Sequence, residues 1–305
     1  MRRPPSSSGR RRPFPADEGL TELSQASVSG LLLGAIYALV AVGLTLIFGV
    51  MDIVNFAHGD FLMAAMYITF FVWLYGRLDP LVSIPLAALA MAGFGILVYT
   101  VLIRRVLKGP VLSQIIVTFG LLVFMRGIAQ LAFTANTRGI PDPLVGPVRL
   151  VIGGVVAGGA QLTAALGAIV CTVLVYLLLS RTELGSAINA VAQDADAARL
   201  MGIDPNRIHL LTWAVAGASV GVAGALLMNF FPVTPEIGAG FGLIAFVVVS
   251  MGGFGSLQGA LIAGLAMGVI QDVVGLFQPA YGFAAIFALY LVIVMVRPQG
   301  LFGAR

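Results

Sequence analysis

Charge is scarce in this 305-residue chain: Asp, Glu, Lys and Arg together make up 10%, against 59% hydrophobic residues. A soluble domain carries about 25% charged residues, so too few are present here to cover a surface facing water. Cysteine is nearly absent. Cys171 stands alone, which excludes an intramolecular disulfide and a cysteine-rich metal site. His58 and His209 are the only histidines, and His58 has no second histidine nearby, so no metal centre is expected. Nor does His58 have a nucleophile beside it to serve as a general base. Lysine occurs once, at Lys108, followed by Gly109 and Pro110. No G-x-x-x-x-G-K-[ST] loop can be drawn, so any ATP used must be bound by another chain.

What is abundant is apolar sequence, with a mean hydropathy of +1.03. Apolar runs cover roughly 28–50, 59–76, 81–103, 111–133, 155–180, 210–231, 241–252, 256–277 and 281–296. A bilayer-crossing helix needs about 20 such residues, and a transmembrane barrel would show short alternating segments instead. The expected class is an all-α polytopic membrane protein with about eight transmembrane segments. The short run 241–252 ends at Gly252-Gly253-Phe254-Gly255-Ser256. Two readings stand side by side there: a half-helix that breaks inside the membrane, or one long kinked helix running on to 277.

The net charge of +4 comes mostly from arginine at the ends of apolar runs, which suits lipid headgroups better than nucleic acid. Residues 1–27 carry Arg2, Arg3, Arg10, Arg11 and Arg12 among prolines and serines, the composition of a disordered tail. Residues 28–303 form the membrane domain. Span counting puts Arg104, Arg105 and Lys108, the loop arginines Arg181, Arg199 and Arg207, and Arg297 on one side, which should be the cytoplasm. Arg77, Arg138 and Arg149 then lie outside; the count puts the tail there too, whereas its five arginines argue for the inside. Gly30 and Gly34, Gly217 and Gly221, and Gly264 and Gly268 are each four apart, a spacing that lets helices pack closely in lipid.

Three polar segments interrupt the apolar pattern. Asp52 to Asp60 places Asn55, His58 and Asp60 between strongly apolar flanks. Polar groups at such depth line a pathway or cap a helix. The loop 181–209 reads as one amphipathic helix over 185–201, ended by Gly202 and Pro205. Its Ala-rich face is too small for strong lipid insertion and suits a socket on a partner protein. Arg126 stands inside a span and is expected to line an outer vestibule, where it meets a substrate carboxylate or one of the acids Glu236 and Asp272.

Four pieces in order resemble the permeases of branched-chain amino acid ABC importers over about residues 20–303: GAIYALVAVGLTLIFGVMDIVNFAHGDFLMAAMY, LGSAINAVAQDADAARLMGI, VVVSMGGFGSLQGALIAG and VRPQGLFG. Gln258 departs from the proline common after the glycine-rich turn. The resemblance implies a permease that pairs with a sister permease in the lipid bilayer of the bacterial inner membrane. It implies two ATPase subunits that bind ATP and magnesium in place of this chain, and a periplasmic substrate-binding protein. This chain would be no enzyme and would hold no cofactor. Relatives that move urea, amides or aromatic and dicarboxylic acids leave the solute open, and a gradient-driven transporter is the rival class. The implied ATPase-coupling residues are Glu183, Gly185, Asn189, Ala192, Asp194, Ala198 and Gly202. Asn55, His58, Asp60, Arg126, Gly252, Gly253 and Gly255 are the pathway candidates.

Overall fold

The computed structural model describes residues 16–107 and 109–302. A long α1 (Ala16–Met51) is followed by α2 (His58–Gly76) and α3 (Pro80–Val98). α3 runs on through a π-helical turn, Tyr99–Ile103, into α4 (Arg104–Val106), and α5 (Val111–Phe133) returns. A hairpin of β1 (Arg149–Ile152) and β2 (Val155–Gly158) pairs antiparallel, with Arg149 opposite Gly158. Then come α6 (Gly159–Arg181), α7 (Glu183–Gln193), α8 (Ala195–Leu200), α9 (Pro205–Leu227), α10 (Ile237–Gly252), α11 (Leu257–Gly275) and α12 (Pro279–Val296). Among the described residues eight helices are long and apolar enough to cross a membrane, and the shorter α10 adds an apolar ninth. This is the architecture lipid demands, because a helix satisfies its own backbone polar groups.

Local chemistry sets several helix starts. Asp79 caps α3, accepting from Leu81 N at 2.9 Å, with Pro80 next. Asp204 caps α9 ahead of Pro205, accepting from Asn206 N at 3.0 Å. Ser256 caps α11 through Gly259 N at 3.1 Å. Each supplies an acceptor to amides that have no partner inside the helix.

Two glycine seams hold the bundle together. A Cβ at Gly30 would stand 2.5 Å from the Gly268 carbonyl oxygen, and one at Gly34 would stand 2.7 Å from that of Gly264. α1 and α11 are thus antiparallel at backbone contact. Gly217 and Gly221 do the same for α9 against α3, with Gly221 on Ala87 O at 2.6 Å. The four-residue spacing read from sequence is this packing.

The bundle has two distinguishable ends. At one, Gln25 in α1 hydrogen-bonds Val156 of the hairpin in both directions, and Asp79 accepts from Leu144 N. Arg138 bridges to Val233 there. This hairpin end carries Arg77, Arg138 and Arg149. The opposite end carries α7 and α8, with Arg104, Arg105, Arg181, Arg199, Arg207 and Arg297, so the arginines separate as span counting expects.

Three expectations need correction. The tail expected over 1–27 is helical from Ala16 onward, as the first turns of α1, and residues 1–15 lie outside the described residues. The stretch 185–201 is two helices, because Asp194 adopts extended backbone (φ −156°) and starts a second one. The glycine-rich turn 253–256 does separate a short α10 from α11, as the half-helix reading expects and the long kinked helix does not, but its place differs. It sits at the α7 end, where Gly255 meets Gly49 near the end of α1 and Leu301 N bonds Met251 O at 2.8 Å. The chain breaks at depth elsewhere, between α1 and α2.

Candidate functional site

α1 ends at Met51, and Asp52 takes a left-handed backbone (φ 53°) that turns the chain back on itself. α2 then starts beside the middle of α1. His58 Nε2 donates to Val40 O at 2.9 Å, and Val40 lies eleven residues before the end of α1, about 16 Å of helix. Within the non-helical stretch 52–57, Ile53, Asn55 and Ala57 are buried in protein, while Asp52 and Phe56 are exposed. Asn55 Oδ1 accepts from Ala57 N at 3.1 Å, and Thr118 of α5 donates to Val54 O at 3.2 Å. Asn55 and His58 are buried and hold this turn in place.

The first turn of α2 carries Asp60, which is wholly buried. Arg126 of α5 meets it with two hydrogen bonds, Nε to Oδ1 at 2.7 Å and Nη2 to Oδ2 at 3.2 Å. Its side chain remains 22% exposed. One turn further toward the hairpin end, Gln130 Nε2 donates to Glu236 Oε1 at 2.6 Å. Glu236 immediately precedes α10, and Gly59, Gly238 and Gly242 let the starts of α2 and α10 touch backbone to backbone. Two helix N-termini therefore converge here, each with an acidic side chain near its positive end. Arg126 pairs with neither of the partners expected for it. Glu236 engages Gln130 instead, and Asp272 lines a cleft between α1, α10, α11 and α12 with no bond to Arg126 among the described residues. Charges inside two separate apolar runs were the signal that each residue needs compensation at that depth, though not with which partner.

Gly252, Gly253 and Gly255 are not brought to Asp60. Gly253 (φ 99°) and Gly255 (φ 80°) make a turn that L side chains rarely adopt, and Gly300 packs so close to it that a Cβ there would stand 2.6 Å from Gly253 N. Phe302 N bonds Gly252 O at 3.1 Å, so the chain's last described residues close over this turn.

The α7–α8 segment forms an elbow at the arginine-rich end. Thr182 caps α7 through Gly185 N at 3.1 Å. Gly185 allows the sharp entry, since a Cβ there would stand 2.5 Å from Leu178 O. Ile188 and Val191 anchor α7 to the bundle, and Ala198 anchors α8. Asp194 ends α7 and caps α8, its Oδ1 accepting from Asp196 N and Ala197 N, both at 2.9 Å. Gly202 (φ 84°) closes α8, with Ile203 N on Ala198 O at 3.0 Å. Glu183, Asn189, Ala192, Asp194 and Gly202 face outward, whereas Gly185 and Ala198 are buried. Reading by pattern missed Leu200 and Met201, which are 89% and 82% exposed at the tip of the elbow. Two large apolar side chains directly ahead of a helix-ending glycine were the available signal.

Comparison with known proteins shows the family of the chain. Residues 27–296 match the family described as branched-chain amino acid transport system, permease component. The chain is 32% identical over 294 residues to the high-affinity branched-chain amino acid transport system permease protein BraD of Pseudomonas aeruginosa, covering 92% of this chain and 95% of that one. It is 30% identical to the corresponding protein LivH of Escherichia coli K12, with the same coverage. The permease protein LivM of the same organism is similar at 26% identity, covering 92% of this chain and 70% of its own length.

Proposed function

As the chain belongs to the family of permease components of branched-chain amino acid transport systems, we propose that it is one of two membrane-spanning subunits of an ATP-driven importer of branched-chain amino acids. Its similarity to both LivH and LivM fits a pore built from two related chains. The arginine-rich end lies in the cytoplasm and the hairpin end faces the periplasm of a bacterial inner membrane. A periplasmic binding protein hands solute to the hairpin end. Two ATPase subunits, which hold ATP and magnesium, dock on the α7–α8 elbow.

The elbow is the observation that carries the ATP-coupled reading. It is capped at both ends, rooted in the bundle by Ile188 and Val191, and offers exposed Leu200 and Met201 between Arg199 and Arg207. Apolar anchors inside a polar rim suit a protein groove. When the ATPases close on ATP, force enters through α7 and α8 and passes to α6 and α9, between which they are spliced. α5 is one of two loosely packed spans, the other being α12, and Asp60–Arg126, Gln130–Glu236 and Thr118–Val54 tie it to the bundle, so it can respond through them. Import then requires that nucleotide and loaded binding protein prefer different states of the pore.

The test is co-purification and leucine uptake with Leu200→Asp/Met201→Asp. The variant should insert normally, lose the ATPase subunits in detergent and lose ATP-driven uptake. Retained ATPase subunits with unchanged uptake would refute docking at the elbow.

A further inference from the structure

A cleft of about 750 Å³ opens at the hairpin end between α1, α10, α11 and α12. That size lies within the roughly 300–1,000 Å³ of small-molecule sites. Its walls are mostly apolar, with Leu33, Phe241 and Ile244 prominent. The polar groups are few and differ in kind. Asp272 lines the cleft and has no hydrogen-bond or ion-pair partner among the described residues. A carboxylate in a membrane-spanning helix without a cation beside it marks a functional position. Beside it, Gln271 accepts the Tyr37 hydroxyl hydrogen at 2.8 Å through Oε1. That bond fixes the amide so that its NH2 group is left to donate. Glu236 also reaches the cleft, and no lysine or arginine lines it. The surroundings therefore favour a cationic group and disfavour a second negative charge.

The larger cleft of about 1240 Å³ between α2, α3 and α5 has no charged lining residue, so it has nothing to hold a charged solute. Only the smaller one joins an apolar wall to separate acceptor and donor groups.

We propose that this cleft is the site where the pore receives its amino acid. Asp272 takes the ammonium group, the Gln271 amide donates to the carboxylate, and the wall of Leu33, Phe241 and Ile244 takes an uncharged apolar side chain. Tyr37 is a positioning residue that acts through Gln271. The inference rests on the amino-acid reading above and extends it to a chemical class, zwitterions with apolar side chains and not dicarboxylic acids.

The experiment uses the complete importer, with sister permease, ATPases and binding protein, in proteoliposomes. Radiolabelled leucine uptake is measured there, and leucine binding is measured on the solubilised complex without binding protein. Asp272→Asn should weaken leucine binding about tenfold or more, the loss of one charge-assisted contact. Gly240→Phe supplies a variant that does not depend on the charge. Gly240 lines the cleft, and a Cβ there meets nothing within 4 Å, so a side chain can leave the backbone at this position and its ring is expected to occupy the cleft. It should assemble with its partners and lose uptake. Tyr37→Phe should weaken binding of leucine while leaving 3-methylbutylamine, which lacks the carboxylate, unaffected. A purely structural role would affect both ligands. Wild-type leucine uptake together with unchanged binding and uptake in Asp272→Asn and Gly240→Phe would overturn the site and leave the importer reading intact. A wild-type complex that moves no amino acid at all would overturn both.

Discussion

Asp60 is the residue most dependent on its neighbour. It is wholly buried, and the two hydrogen bonds from Arg126 are what make its charge tolerable there. Removing one member of a buried ion pair strands the other, at a cost of about 3–5 kcal/mol, whereas removing both charges can be nearly neutral. Arg126→Gln should therefore lower the unfolding midpoint of the purified chain sharply. Asp60→Asn/Arg126→Gln should recover most of the loss, since amide can bond amide across the same gap. Equal midpoints for single and double variants would show that the pair is not coupled. Arg126→Lys should fall in between, because an ammonium cannot reproduce the fork that meets both carboxylate oxygens. If the pair also ties α5 during transport, the double variant should be stable yet slow in uptake. Asp60 and Arg126 could both be picked out of the sequence as charges inside apolar runs. Their pairing could not, because sixty-six residues and three intervening elements separate them, and the turn at Asp52 that lifts α2 into the bundle rests on a backbone conformation with no sequence signature of its own.

The α7–α8 elbow shows how one side chain changes an element. Along 185–201 the alanine-rich pattern is continuous, so periodicity alone gives one helix. Asp194 instead accepts two amide hydrogens of the following turn, and that cap ends one helix and begins another. Asp194→Ala should cost about 1 kcal/mol of local helix stability. Asp194→Asn, which can cap, should cost little. Hydrogen exchange over 195–200 distinguishes them, with faster exchange expected only for alanine. Equal exchange in both would mean that the cap does not hold α8. Gly202 carries a different constraint. Its φ of 84° makes any side chain there strained, so a bulky residue at 202 tests the fold of the elbow as much as its docking. Leu200 and Met201 are the cleaner probes, since neither is needed for packing inside this chain. The glycine-rich turn gives the complementary lesson. Glycines in an apolar context read as a break inside the membrane, yet here they let the end of α1, the α10–α11 turn and the last described residues approach at backbone distance. Sequence records the need for close approach, not the depth at which it happens.

At the scale of the whole molecule, lipid removes the hydrophobic drive between helices, so backbone proximity and van der Waals contact must hold the bundle. Two seams provide it, α1 on α11 and α9 on α3, and both are built from glycines four residues apart. Contact there is with backbone atoms. A Cβ at Gly34 would lie 2.7 Å from Gly264 O and 2.9 Å from Leu265 Cα, and one at Gly221 would lie 2.6 Å from Ala87 O and 2.8 Å from Ala88 Cα. Backbone cannot rotate away as a side chain can, so the helices themselves must separate. Gly34→Leu and Gly221→Leu should each cost at least the roughly 1–3 kcal/mol of ordinary overpacking. They should also disturb different helix pairs, since no helix is common to the two seams. Gly93 supplies the control. It lies on α3, the helix that Gly221 packs against, but a Cβ there meets nothing within 4 Å. Gly93→Leu should keep the wild-type unfolding midpoint in detergent, while Gly34→Leu and Gly221→Leu fall well below it. If all three behaved alike, glycine would be acting through helix propensity, and the seams would not be what holds this bundle together. If the two seam variants fall alone, the same contacts also explain how a pore subunit can move. Smooth glycine faces let α1 slide on α11 and α9 slide on α3 without side chains having to interdigitate anew, while the ion pair at Asp60 keeps the more loosely packed α5 from drifting into lipid.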